Sequence, residues 1–354
     1  MKSRPALVLS LALALQAILP SALRAAYNFT ITDLGTLGGT YSDPAAVNDS
    51  GQVVGKAMLP SGSYRAFAWW KGTMIDLGTL GGDYSAATGI NDQGLIVGES
   101  YTAAHKTHAF VYSFTNGVMS DLGTLGGDYS TAAAVNNNGL IVGTASLASG
   151  DNRAFVFANG AMTDLGTLGG QFSSASAIDD NNVIVGTSAT SQASPFGYND
   201  HGFAFINGQM LDLSIFGGDL DSTDVPIYPA GVSDAGVAGS ADPDLLDGFG
   251  PEGFICYPGQ SVIYIGNGKD IVGAANGINA AGQVVGFYAS YATNAMLYSN
   301  GVFYDLNPLV DPVGTDFTHL TVATAISNNG YIVGYGLTRN EEYHAFLLTP
   351  IPAP

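Results

Sequence analysis

Apolar residues in this chain come in short runs closed by glycine, asparagine or aspartate. Residues 86–122 show the pattern: Ala86-Ala-Thr-Gly-Ile90 is small and apolar, and Gly94-Leu-Ile-Val-Gly98 is a continuous apolar run. His108-Ala-Phe-Val-Tyr112 alternates, and Gly117-Val-Met-Ser-Asp-Leu122 alternates weakly. Period-two or fully apolar runs of this length predict short strands, and turn dipeptides such as Asn91-Asp92 and Asn116-Gly117 punctuate them. No stretch after the N-terminal leader carries helical apolar periodicity, so the pattern predicts an all-β protein.

The four-strand pattern recurs. Asp33-Leu-Gly-Thr-Leu-Gly-Gly39 returns from Asp76, Asp121 and Asp164, at spacings of 43, 45 and 43 residues, and then as Asp212-Leu-Ser-Ile-Phe-Gly-Gly218. Weaker forms stand at Ile263-Tyr-Ile-Gly266 and Asp305-Leu-Asn307. In phase with it, Val47-Asn-Asp-Ser-Gly-Gln-Val-Val-Gly55 has seven copies, ending at Gly334. A third marker, a basic residue, a small one and Phe, appears at Arg65, Arg153, His108, His201 and His344, with degenerate copies at Glu252 and Asn294. Three markers agree on seven units.

Seven four-stranded units of this length predict a seven-bladed β-propeller. The small residues of each first strand, such as Thr131-Ala-Ala-Ala134 and Ser174-Ala-Ser-Ala177, suit an innermost strand crowded at the axis. The chain begins with a lone outer strand near Phe29–Leu34 and ends with a third strand near His344–Leu348 that lacks its outer neighbour. Pairing these two predicts a ring closed by its own termini, which hides both sheet edges. The domain reading is a leader over 1–26, one propeller over 27–349 and a proline-rich tail over 350–354.

The His-Ala-Phe, Asp-Leu-Gly-Thr-Leu-Gly-Gly and Ile-Asn-x-x-Gly-x-Ile-Val-Gly elements resemble the HAF extracellular repeat family. The resemblance covers residues 31–349, in four near-ideal and three divergent units. It implies secretion in bacteria and a repeat of about this length, and it carries no substrate or catalytic residue. The tail from Leu348 resembles the entry to a PEP-CTERM sorting region, without the Glu, the hydrophobic segment or the basic end of one; a frayed terminus is the competing reading.

Composition adds compartment and charge. Lys2 and Arg4, the apolar run Ala6–Leu19 and Ser21-Ala-Leu-Arg-Ala-Ala26 have the order of a secretory signal peptide, so the chain is expected to be exported, to the periplasm or beyond, with no later membrane span. Removing the leader takes the net charge from −19 to −22, which disfavours nucleic acid and anionic lipid as partners. Cys256 is the single cysteine, so no internal disulfide supports the fold.

Counting through the hairpins places Arg65 near Asp76, His108 near Asp121, Arg153 near Asp164 and His201 near Asp212, with His344 meeting Asp33 across the closure. The fifth unit loses both members, so these residues read as structural pairs rather than catalytic ones. The Gly-Thr-Leu-Gly-Gly segment lacks the Lys-Ser/Thr ending and the helix of a phosphate cradle, and reads as the crossing between blades. Tyr84, Tyr129 and Phe172, with Tyr41, recur at one point of that crossing. They fit either sugar stacking, as ligand-binding residues, or packing between blades.

The unrepeated loops are the other candidate. The fourth and fifth units carry insertions, and Asp219, Asp221, Asp224, Asp242, Asp244 and Asp247 fall on loops that this topology sends to one face. Clustered carboxylates suit calcium, the one cofactor the sequence points to; a solvated acidic rim is the alternative. No catalytic residue stands out: the nucleophile elbow, the zincin helix and the dinucleotide fingerprint are all missing. The expected function is therefore a secreted binding or scaffolding module for an extracellular ligand or surface component, with carbohydrate the leading chemistry. The alternatives are a glycoside hydrolase or polysaccharide lyase using carboxylates on the acidic face, and a purely structural matrix protein.

Overall fold

The computed structural model describes residues 29–114, 116–191, 200–213, 227–241, 251–256, 262–265, 272–289, 292–310 and 315–352. These residues form seven four-stranded antiparallel sheets arranged as the blades of a seven-bladed β-propeller. Blades 1 to 6 lie within 42–76, 81–121, 126–164, 169–212, 227–265 and 272–305. Blade 7 joins 317–350 to the N-terminal strand Phe29–Asp33. Residues 1–28 and the last two residues lie outside the described part.

The seventh blade confirms closure by the termini. Phe29–Asp33 runs antiparallel to Tyr343–Pro350, with Phe29 opposite Pro350 and Asp33 opposite Phe346. Both strands would otherwise present a bare edge. Phe29 also joins a hydrophobic cluster with Leu309, Val310, Phe317 and Leu348, so the closing strand is held by packing as well as by its ladder.

Each blade repeats one design. In blade 2 the strands are Gly81–Ile90, Leu95–Thr102, Thr107–Ser113 and Val118–Asp121, from the axis outward. The inner strand is longer than the apolar run 86–90 predicts, because it starts inside the Gly-Gly of the crossing motif. A Cβ on Gly82 would press on Tyr101 and the carbonyl of Thr102, so only glycine lets the chain pair that early.

A register shift between Ala87 and Gly89 bulges the inner strand, and an equivalent shift occurs in all seven blades. The bulge turns the Ala86 carbonyl toward the second strand, where a Cβ on Gly98 would overlap it. The same overlap awaits a side chain at Gly55, Gly143, Gly186, Gly239, Gly286 and Gly334, which is why the Val-Val-Gly signature ends in glycine.

The core is distributed between blades. Val53, Phe67 and Trp69 of blade 1 pack on Val333, Ala345 and Leu347 of blade 7, while Val54, Ala66 and Ala68 face Ala87, Ile96 and Phe110 of blade 2. The aromatic of the third-strand signature is the anchor: Phe67, Phe110, Phe155, Phe203, Phe254 and Phe346 are fully buried, and Met296 takes that place in blade 6. Large apolar volume in seven separate seams supplies the hydrophobic stabilisation that no disulfide supplements.

Candidate functional site

The crossing motif closes on itself. In blade 1, Asp76 Oδ1 accepts the N–H of Gly78 at 2.8 Å, and Thr79 Oγ1 accepts from Gly81 while donating to the Gly82 carbonyl. Ser85, fully buried, donates to the Gly78 carbonyl at 2.6 Å and accepts the Ala66 N–H of the preceding blade at 2.8 Å. Ser42, Ser130 and Ser173 repeat both bonds. These donors and acceptors hold the crossing together, so the glycine-rich segment is a blade-to-blade clasp and not an anion cradle.

The basic residues divide by type. His108 Nδ1 lies 2.7 Å from Asp121 Oδ2, His201 Nδ1 lies 2.7 Å from Asp212 Oδ2, and His344 Nδ1 lies 3.0 Å from Asp33 Oδ2. In each case the Asp sits opposite the buried Phe two residues beyond the His, and the pair meets diagonally across the hairpin. Arginine does otherwise. Arg153 approaches Asp164 only to 3.9 Å and donates to the Gln171 carbonyl, and Arg65 forms no ion pair with Asp76. The Arg65 guanidinium donates to the carbonyl of Asp83 in the next blade. The expected Arg65–Asp76 pair is thus corrected: a long fork spans to the crossing segment where an imidazole stops at the carboxylate.

At the other end of the channel the Asn-x-x-Gly turns form a ring. Asn48 Oδ1 accepts the N–H groups of Ser50 and Gln52, closing its turn, and Nδ2 donates to the Asn91 carbonyl of the next blade at 3.0 Å. Asn91, Asn136 and Asn279 pass the same bond onward. One position further, Asp92 Oδ1 accepts the Asp49 N–H, Asn137 Oδ1 the Asp92 N–H and Asp180 Oδ1 the Asn137 N–H. This collar surrounds an axial cavity of about 270 Å³ that also reaches Asp179 and Asp234. Burial raises the Asp179 carboxyl above the ordinary range. The Asx repeat that builds the collar was visible in the sequence, but its stacking into one ring depends on closure.

The crossing-loop aromatics occupy the opposite end. Tyr84 donates its hydroxyl to Glu99 Oε1 at 3.0 Å and tilts against Tyr101 of its own blade, with ring centroids 5.0 Å apart. Tyr41 meets Tyr64 edge-on within blade 1. These ring contacts lie within a blade, not between blades. Phe172 is half-buried and Tyr129 is 37% exposed.

Asp43 stands beside this arc, on the inner strand of blade 1. Its carboxylate lies 3.4 Å from Lys56 Nζ and against the phenol of Tyr41. Burial raises the Asp43 carboxyl, opposed by Lys56; burial also raises the phenols of Tyr41, Tyr84 and Tyr335, with the Asp43 charge adding to each. No sequence marker singled out Asp43, because it lies at a position where the other units carry no charge.

Asp219, Asp221, Asp224, Asp242, Asp244 and Asp247 lie outside the described residues. Among the described residues no three His, Cys, Asp or Glu side chains group as a metal site, and no helix is long and apolar enough to cross a membrane.

No protein-family model and no curated protein sequence matches the chain. Solved structures do. The β-propeller domain of the Trilobed protease from Pyrococcus furiosus superposes with a TM-score of 0.61 at 12% identity, over 90% of this chain and 95% of that one. A puromycin-hydrolyzing peptidase of Mycobacterium tuberculosis gives 0.59 at 11% identity over 94% of this chain, and the Pyrococcus horikoshii acylaminoacyl peptidase gives 0.56 at 13% over 92%. The chain spans about half of those two peptidases, 54% and 52%. At such identities the likeness is one of fold alone: this protein is a β-propeller module. The Pyrococcus furiosus domain is described as having an open velcro topology, whereas here the N-terminal strand closes the ring.

Proposed function

We propose that the chain is an exported propeller of the HAF repeat kind that binds an extracellular carbohydrate on the face bearing the crossing loops. The observation that carries this reading is the arc of aromatic rings, Tyr41, Tyr84, Tyr129 and Phe172, placed at one level of four consecutive blades. Half-buried and exposed rings beside carboxylates and hydroxyls suit the alternating C–H and O–H surface of a sugar. Such an arc, repeated by the fold at blade spacing, favours a chain of sugars over a single one.

Affinity electrophoresis of the protein without its leader, through gels containing soluble xylan, glucomannan or glycol chitin, tests it. Retardation in at least one gel is expected, and Tyr129→Ala should weaken it several-fold because that ring is the most exposed of the arc. Equal mobility in every gel would remove the carbohydrate reading and leave the structural-matrix alternative. Release of reducing ends from a retarding polymer would move the assignment to a hydrolase.

A further inference from the structure

The seven blades permit an internal comparison. One layer between the blades pairs the inner strand with the second strand in every blade: Asp43 with Lys56, Ala86 with Glu99, Thr131 with Thr144 and Ser174 with Thr187. The round continues with Tyr228 and Ser240, Ala274 and Phe287, and Val322 and Tyr335. The scaffold is satisfied at this layer by small, hydroxyl and aromatic side chains. Thr144 and Ser174, for example, share a 2.6 Å hydrogen bond between blades 3 and 4. Ionisable acid and base enter the layer only in blades 1 and 2.

Charge there is a cost the fold does not need. Burial disfavours the ionised Asp43, and Lys56 at 3.4 Å only partly offsets this. Around the pair stand Tyr41 and Tyr64 of blade 1, Tyr84 of blade 2, and Tyr335 and Tyr343 of blade 7. Tyr41 meets Tyr64 edge-on at 5.7 Å, Tyr335 meets Tyr343 edge-on at 6.1 Å, and the backbones of Tyr41 and Tyr343 pair in an isolated parallel bridge between blades 1 and 7. Glu99 completes the group through its bond from Tyr84. A carboxylate held against its own solvation beside an ammonium and several phenols, at a break in an otherwise repeated layer, marks a place kept for recognition.

We propose that Asp43, Lys56 and Glu99, with the tyrosines of blades 7, 1 and 2, form the specificity subsite of the sugar-binding face, for a neutral or amino sugar. This rests on the carbohydrate reading above. Two carboxylates accept, an ammonium donates and the phenols do both, which matches hydroxyls that donate and accept on adjacent carbons. Lys56 is the only cation of the group, on a chain of net charge −19, so a uronate is repelled and an amine is attracted.

Isothermal titration of the full exported chain with defined hexaoses tests the assignment: β-1,4-glucose, β-1,4-glucosamine and α-1,4-galacturonate. Wild type is expected to bind the glucose or glucosamine hexaose and to ignore the galacturonate. Asp43→Asn and Lys56→Met should each weaken binding at least tenfold, while the melting temperature of Asp43→Asn holds or rises because the buried charge has gone and that of Lys56→Met falls because the Asp43 carboxylate loses its counter-charge; a merely structural pair would lower it in both and leave binding unchanged. Binding unchanged in both variants, but lost in Tyr129→Ala, would overturn this subsite and keep the carbohydrate face. Galacturonate as the best ligand would overturn the proposed sugar class. No binding of any hexaose by wild type, together with no retardation in any polysaccharide gel, would bring down both readings.

Discussion

At the residue scale the repeat signatures are mostly hydrogen-bond and packing devices. Ser85 serves two backbone groups at once, one in its own crossing loop and one in the preceding blade. Replacing it with alanine strands a buried carbonyl and a buried N–H, so Ser85→Ala should cost about 2–3 kcal/mol in a urea titration. A loss under 0.5 kcal/mol would mean that water enters the seam to replace the hydroxyl. His344 is the residue whose contribution depends on pH. Its hydrogen bond to Asp33 raises its pKa, against opposing desolvation, and Glu342 lies 3.4 Å from Nε2. Asp33 and Glu342 are the charged groups against it, with Tyr343 beside it in the chain. A raised folded pKa places the stabilisation below the ordinary histidine value of about 6.5 and removes it as pH rises through the folded value. Because Asp33 is partly exposed, the effect is on the order of 1 kcal/mol. His344→Gln should therefore lower the melting temperature at pH 5.5 and make little difference at pH 8.5; an equal loss at both would show that the imidazole acts by packing alone.

At the element scale the blade was legible in the sequence because each strand type carries its own constraint. Phe110 fills a seam, Gly98 makes room for a bulge and Asn91 closes a turn, so each leaves a mark at fixed spacing. The inner strand was read short because its first residues, Gly81 to Tyr84, look like loop and pair only where glycine admits a close backbone approach. Arg65 departs from its expected partner for a related reason: strand register fixes its Cα but not the reach of a guanidinium. Asp43 left no mark at all, since a singular charge in a repeat is indistinguishable by spacing from a tolerated surface variation. Closure was legible from the two unpaired termini, and it makes the strand Phe29–Asp33 a structural keystone. Deleting residues 27–33 should strip Phe29 from its cluster and expose the edge of Tyr343–Pro350. The expected outcome is a broad, lower melting transition in calorimetry and concentration-dependent association in gel filtration. A sharp transition at the wild-type temperature would show that the ring holds without its latch.

At the scale of the whole molecule, seven seams share the load and the chain is strongly acidic. The chain has 29 Asp and Glu against 10 Lys and Arg. Among the described residues, Lys or Arg pairs join only Lys56 to Asp43, Lys106 to Asp128 and Arg153 to Asp164, the last at 3.9 Å. Repulsion between carboxylates therefore outweighs attraction between pairs, and the folded ring, which holds these charges closer than the unfolded chain does, bears the greater penalty. Salt shortens the screening length from about 30 Å at 10 mM to about 3 Å at 1 M. Raising sodium chloride across that range should raise the melting temperature by a few degrees at pH 7, and by little at pH 4, where the carboxylates begin to protonate. A fall with salt would instead mean that the few ion pairs carry more stability than their geometry allows. The same experiment addresses the acidic segments around 219–224 and 242–247. Calcium at matched ionic strength should raise the transition beyond sodium only if carboxylates such as Asp242 and Asp244 hold the ion, and Asp242→Asn with Asp244→Asn should then abolish the excess. An identical curve for the two salts would assign those segments to the same diffuse charge as the rest of the chain.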